Sequence, residues 1–155
     1  YDPHEMNGTS SLQMQRYLSK ISGPLLDRID LHIEVHKVSY EELSGKAKGE
    51  SSEDIRKRVV KAREIQSKRF MGMKGVYSNA QMSTRMVRKV CKLDDAGSEI
   101  LKKAITSLGL SARAYDRILK VSRTVADLDH SENIKSNHVA EAIQYRSLDR
   151  EGWLG

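Results

Sequence analysis

From Ser52 onward the chain repeats one pattern that restricts its fold: a capping side chain, then apolar residues at helical spacing. Serine or aspartate stands before each apolar stretch, where its side-chain oxygen can accept a hydrogen bond from the free N–H groups of a first helical turn. The pattern therefore predicts helices that begin near Ser52, Ser83, Asp94, Ser111 and Ser136. Four or five helices of this length make a small bundle.

The apolar positions of the two longest predicted helices indicate which faces form the core. Gly72 and Gly75 end the first of these helices. One side of it is lined by Ile55, Val59, Ala62 and Ile65. The core face of the helix predicted over residues 112–128 consists of Tyr115, Ile118, Leu119, Ser122, Val125 and Ala126.

The opposite side of the 112–128 helix is basic, with Arg113, Arg117 and Lys120 close together. Like charges spaced four residues apart on a helix repel each other by a few tenths of a kcal/mol, which a nearby anion would relieve. Phosphate is the natural candidate, because its oxygens match the forked N–H donors of arginine. A solvated helix face is the alternative, here and for the basic clusters at 53–70 and 85–92.

The first part of the chain follows other patterns. Residues 13–21 have the spacing of a short helix, and Pro24 suits the first turn of a second one that ends at Asp27 or Arg28. From Ile29 to Val35 apolar and polar residues alternate, which predicts a strand. A lone strand is not stable in water, so its partners are expected in a sheet outside this chain.

Composition fits a soluble, mostly helical protein and leaves several functions open. The 27 basic and 21 acidic residues give a net charge of +6, compatible with nucleic acid, nucleotide phosphates or an acidic partner. The apolar runs are too short to cross a membrane, and the single Cys91 suits a reducing cytoplasm, where we expect the protein. Its five histidines are scattered and predict no metal site. No G-x-x-x-x-G-K-[ST] phosphate loop occurs, so we expect a fragment of a larger protein.

Several stretches resemble one family, in the same order along the chain. Residues 22–30, Ser-Gly-Pro-Leu-Leu-Asp-Arg-Ile-Asp, are similar to the end of the ATPase core in magnesium-chelatase-like AAA+ proteins. The similarity is greatest to the Mg chelatase-related, or competence protein ComM, subfamily. Its C-terminal domain is resembled by residues 62–66, 77–82, 110–119 and 141–150.

The resemblance implies a mainly α fold. A C-terminal helical lid bundle would follow a remnant of the α/β ATPase core, made of short helices and one strand. The implied divisions are the end of the core with the arginine-finger segment, a linker and the lid domain, at residues 1–38, 39–51 and 52–150.

The resemblance also implies roles for three arginines. Arg28 is expected to act in trans as an arginine finger, reaching the γ-phosphate of ATP held by a neighbouring subunit. Arg113 is expected to contact phosphate in its own subunit, as sensor 2. Arg117, one turn on, is a further candidate for phosphate binding, with a lid–core salt bridge as the alternative.

The partners and cofactors implied are those of an ATP-driven motor. ATP and Mg²⁺ are expected in the full-length parent, and none in this chain, which we expect to be inactive alone because it lacks the phosphate loop. Identical subunits are expected to form a ring, a hexamer, that acts as a DNA helicase or translocase; no membrane partner is expected. The alternatives are a basic helical nucleic-acid-binding module, or the motor subunit of a chelatase that acts on a partner protein.

Overall fold

The computed structural model describes Leu25, residues 28–33, Val35, Val38, Ser44 and residues 49–146. In this part of the chain the helices are α1 (Ser52–Arg69), α2 (Thr84–Val90), α3 (Asp95–Leu108), α4 (Ala112–Leu128) and α5 (Ser136–Gln144). A short 3₁₀ helix covers Asn79–Gln81. The predicted helical bundle is therefore confirmed. None of the helices described is long and apolar enough to span a membrane.

Three helix starts lie where the capping residues predict them. Ser83 accepts a hydrogen bond from the N–H of Met86 at 3.4 Å. Asp94 accepts one from Gly97 at 2.7 Å, and Ser111 one from Ala114 at 3.2 Å, and these bonds fix the first turns of α3 and α4.

The predicted starts of α1 and α5 are each one residue too late. Ser51 is the cap of α1, since its hydroxyl accepts the N–H of Asp54 at 3.1 Å, and Ser52 is the first helical residue. Lys135 caps α5, where the ring Nδ1 of His138 accepts the N–H of Lys135 at 3.0 Å. This return bond from the third helical residue places the helix start before Ser136.

The end of α1 also precedes the glycines predicted to end it. Phe70 closes the helix, and its N–H bonds to the carbonyl of Gln66 at 3.0 Å. Gly72 and Gly75 follow in the loop with φ values of +81° and +80°, a left-handed conformation that glycine adopts without strain.

The core is arranged around α4, which packs against α5, α1 and α2, while α3 packs against α5. Its buried apolar side chains come from α2 to α5 and from the connections before α2, α3 and α5. They are Phe70, Met82, Val87, Cys91, Leu101, Ile118, Leu119, Ala126, Ile134, Val139 and Ala142.

The predicted apolar face of α4 is largely buried, whereas that of α1 is not. On α4, the side chains of Ile118, Leu119, Ser122 and Ala126 are buried, and Tyr115 is 39% exposed. On α1 only Ala62 of the predicted face is fully buried; Ile55 and Val59 are 42% and 46% exposed. Every residue from 51 to 61 is exposed, because the first half of α1 extends beyond the bundle.

The strand predicted over residues 29–35 is absent from the described residues of that stretch, 29–33 and Val35. The described part of the chain offers no neighbouring strand with which it could form a ladder. The N–H of His32 instead donates to the carbonyl of Tyr145 at 2.7 Å, beside the end of α5. The short helix predicted over 13–21 lies outside the described residues.

Candidate functional site

Arg28 lies in an exposed turn at the start of the leading segment, residues 28–33. Its N–H donates to the carbonyl of Leu25 at 2.9 Å, which closes the turn. Leu25 is helical whereas Arg28 lies in a turn, so the guanidinium is carried outside a helix on an exposed residue. Such a placement suits an arginine that reaches an anion held by another molecule.

Contacts with the helical domain fix the residues that follow Arg28. Nη1 of Arg146, just after α5, donates to the carbonyl of Ile29. Nη1 of Arg117, on α4, pairs with Oδ1 of Asp30. The leading segment is therefore attached to α4 and to the residues just after α5.

Arg113 is the second residue of α4 and is exposed. Within the part of the chain that the structure describes, its guanidinium has no ion-pair partner. It belongs to the first helical turn, where the helix dipole favours negative charge. Arg113 could supply one or two contacts to a phosphate group, but it does not form a cradle around one.

The other members of the predicted basic face have protein partners. Arg117 pairs with Asp30, and an ion pair was the alternative to phosphate binding in the sequence analysis. Nζ of Lys120 donates to the carbonyl of Ala80 at 2.9 Å. The structure thus connects the Arg28 segment to the helix that carries Arg113, through Arg117.

A buried polar cluster that sequence reasoning missed joins α1, the 3₁₀ helix and α4. Nη1 and Nη2 of Arg69 donate to the two carboxylate oxygens of Asp127 at 2.7 and 2.5 Å. Asn79 donates to Asp127 at 2.8 Å and accepts from Arg69 at 2.9 Å. Nε of Arg123 donates to Asp127 at 3.1 Å. Two arginines and an amide therefore satisfy one fully buried carboxylate.

Arg123 is itself 4% exposed, and burial lowers its pKa, although the carboxylate of Asp127 opposes that shift. Its two Nη atoms donate to the carbonyls of Glu132 and Ser131, at 2.8 and 2.6 Å. These bonds hold the loop between α4 and α5. The cluster is structural, because its arginine donors are directed at protein acceptors.

The described residues provide no cluster of three or more histidine, cysteine, aspartate or glutamate side chains that could hold a metal ion. Cys91 is a buried free thiol within the core, and burial raises its pKa to about 11. A thiol with so high a pKa is a poor nucleophile at neutral pH.

Comparisons with known proteins identify the class to which this bundle belongs. The sequence profile described as magnesium chelatase, subunit ChlI C-terminal, matches residues 49–146, and the profile for magnesium chelatase, subunit ChlI, matches residues 1–43. The helical bundle is thus a magnesium-chelatase-type C-terminal domain. The chain belongs to the magnesium chelatase-like family.

The relatives found include competence protein ComM and two proteins named YifB. Competence protein ComM of Haemophilus influenzae is 45% identical over 145 residues, which cover 93% of this chain and 28% of that protein. YifB of Escherichia coli is 42% identical and YifB of Salmonella typhimurium 41% identical, each over 139 residues, 89% of this chain and 26% of the relative. The chain therefore spans little more than a quarter of the length of these relatives.

Proposed function

We propose that the chain is the C-terminal part of an AAA+ ATPase of the ComM type, in which Arg28 and Arg113 face two different nucleotides. Arg28 acts in trans on ATP held by the neighbouring subunit, and Arg113 acts on ATP held by its own subunit. The attachment of the segment of exposed Arg28 to α4, whose first turn carries exposed Arg113, supports this proposal most directly. The family membership supports an ATPase parent.

The chemistry required of each arginine is electrostatic. Negative charge on the γ-phosphoryl oxygens must be stabilised during phosphoryl transfer, and an exposed guanidinium on a short turn can approach them from outside. Arg113 supplies one or two contacts, so ATP and Mg²⁺ are held chiefly by parts of the parent that this sequence does not contain. The isolated chain is accordingly proposed to bind ATP weakly and to have no ATPase activity.

The test compares ATP binding with ATP turnover in the full-length parent. Arg28→Ala should leave ATP affinity near normal and lower turnover about 10³-fold or more, as expected for an arginine finger. Arg113→Ala should weaken ATP binding in the same assay. Lys102→Ala, on the exposed side of α3, is the control and should change neither. Full turnover of the Arg28→Ala protein would contradict the proposal.

We propose that the parent acts as a ring-shaped helicase or translocase, with DNA as its substrate. One feature of the described chain favours contact with nucleic acid: the first half of α1 is exposed along its whole length. Arg58 pairs there with Glu50, and Lys57 with Glu53. Among the other basic residues of α1, Arg56, Lys61 and Arg63 are exposed and have no acidic partner among the described residues.

A salt titration of DNA binding by this 155-residue chain tests whether these basic residues suffice as a nucleic-acid-binding module. Binding to a labelled duplex should weaken steeply between about 50 and 200 mM salt, because each neutralised phosphate releases counterions. Replacing Arg56, Lys61 and Arg63 by alanine should make the salt dependence of DNA binding shallower. If the unaltered chain shows no binding at the lowest salt, the module does not act alone.

A further inference from the structure

Two arginines of the helical domain hold the two residues directly after Arg28. Arg146 donates to the carbonyl of Ile29, and Arg117 pairs with the carboxylate of Asp30. The first contact fixes a main-chain atom one residue from Arg28, and the second fixes a side chain two residues from it. Because the contacts are consecutive in sequence, they restrict both the position and the direction of the turn that carries Arg28.

Arg146 restricts this position strongly because its side chain is fully buried, at 1% exposure. A guanidinium removed from water needs bonded acceptors for its N–H groups, so its surroundings tolerate little movement of those acceptors. The carbonyl of Ile29 is one of them. The turn is therefore held against a rigid part of the bundle.

Arg117 connects the same turn to Arg113. The two arginines are four residues apart on α4, one helical turn, and the helix between and beside them is held by fully buried Ala114 and Ile118. A packed helix shifts as a unit rather than bending over one turn. A displacement at Arg113 is thus transmitted to Arg117, and through the ion pair to Asp30.

We propose that Arg117 is a positioning residue that couples Arg28 to Arg113 through its ion pair with Asp30. Nucleotide contact at Arg113 in one subunit would set where that subunit presents Arg28 to its neighbour's nucleotide. This inference rests on the proposed function, because it concerns communication between the two nucleotide-facing arginines. In this proposal Arg117 orients Arg28 and does not itself bind phosphate.

The ion pair can be removed without unfolding the domain. The side chains of Asp30 and Arg117 are 53% and 27% exposed, and pairs at such exposure contribute little to stability. Loss of coupling and loss of structure can therefore be separated by measuring thermal unfolding of each variant in parallel.

The experiment uses the full-length parent and compares Arg117→Ala, Asp30→Asn and the double exchange Asp30→Arg with Arg117→Asp. Each single variant should lower kcat about 10-fold, within the usual range of coupling between sites, while the Kd for ATP stays within about two-fold of wild type. The Hill coefficient for ATP hydrolysis should fall toward one. The double exchange should recover most of the turnover, because it restores an ion pair of reversed polarity.

Asp116→Asn is the matched control, since it removes a carboxylate next to Arg117 whose recorded partner is the hydroxyl of Thr84, on α2, at 2.7 Å. It should leave kcat and the Hill coefficient unchanged. A rise in the Kd for ATP in Arg117→Ala, without rescue by the double exchange, would overturn the proposal and assign Arg117 to phosphate binding. Wild-type kcat in both single variants would overturn it as well.

Arg28→Ala, measured in the same assay, separates this inference from the proposed function. If Arg28→Ala hydrolyses ATP normally, the arginine-finger role itself fails, and coupling to Arg28 fails with it. If Arg28→Ala is inactive while Arg117→Ala and Asp30→Asn behave as wild type, the finger stands and only the coupling through Arg117 is wrong.

Discussion

Asp127 on α4 receives both Nη groups of Arg69 from the end of α1, across 58 residues of sequence, at 2.7 and 2.5 Å. The carboxylate is fully buried, and the Arg69 side chain is 19% exposed. A second arginine, Arg123, contacts the same carboxylate from one turn earlier on α4. Asp127 therefore compensates two positive charges at the junction of α1 and α4.

Replacing Asp127 by alanine should destabilise the domain strongly. The change would leave Arg69 and Arg123 facing each other without a counter-charge, and removal of one partner from a buried ion pair costs about 3–5 kcal/mol. Urea denaturation of the 155-residue chain measures the effect. Glu99→Ala is the control, because Glu99 makes an exposed pair with Lys102 at 3.8 Å and its loss should cost less than about 0.5 kcal/mol. Equal costs for the two variants would show that the cluster does not stabilise the fold.

Cys91 predicts a loss of stability in alkaline solution. Burial raises the pKa of its thiol from 9.0 to about 11, so in the unfolded chain the thiol ionises first. The contribution of this thiol to the free energy of unfolding is fully present below pH 9, and it is lost as the pH rises through about 11. Relative to Cys91→Ala, which cannot titrate there, the wild-type free energy of unfolding should fall by about 2–3 kcal/mol over this interval. Parallel pH dependence in both proteins would contradict the assignment.

The exposed first half of α1 predicts that its apolar residues contribute little to stability. Ile55→Ala and Val59→Ala should each change the free energy of unfolding by less than about 0.5 kcal/mol, because both side chains are 40–50% exposed. Ile118→Ala, at a fully buried site on α4, should cost about 2–5 kcal/mol. Denaturant midpoints for the three variants decide the point. A large cost at Ile55 would mean that this face of α1 is covered in solution.

Deleting residues 1–45 should leave a cooperatively folding domain. The buried apolar cluster lies entirely between Phe70 and Ala142, so the helices supply their own core. The unfolding temperature should fall, because Arg146 loses the carbonyl of Ile29 and Arg117 loses Asp30. Calorimetry of the shortened chain tests this expectation. Disappearance of the cooperative transition would place residues 1–45 within the same folding unit.

The parts of this fold that sequence predicts are those decided by local chemistry. The helix 112–128 is correct to the residue, because Ser111 caps it and its apolar spacing continues to the end. The strand at 29–35 fails for the complementary reason: alternation indicates two faces, but a strand needs a neighbouring strand, which the described residues lack. Ile55 and Val59 fail similarly, since periodicity defines an apolar face without showing what covers it.

The candidate site also contains residues that the sequence predicts and residues that it does not. Arg28 and Arg113 could be chosen from the family resemblance alone, and both are exposed in the structure. The ion pair of Arg117 with Asp30 joins residues 87 positions apart, which no local pattern reveals. Arg123 and Asp127, spaced i, i+4, resemble an ordinary surface pair in sequence, and only the tertiary packing shows that they are buried.

The central claim, that Arg28 acts on a neighbouring subunit, is tested most directly by mixing two inactive forms of the full-length parent. One form carries Arg28→Ala, and the other carries a disabled phosphate loop with Arg28 intact. If the parent assembles as the proposed ring, mixing brings an intact phosphate loop together with an intact Arg28 at some subunit boundaries. We predict that the ATPase rate of the mixture exceeds the sum of the two separate rates. A mixture no more active than its components would contradict action in trans.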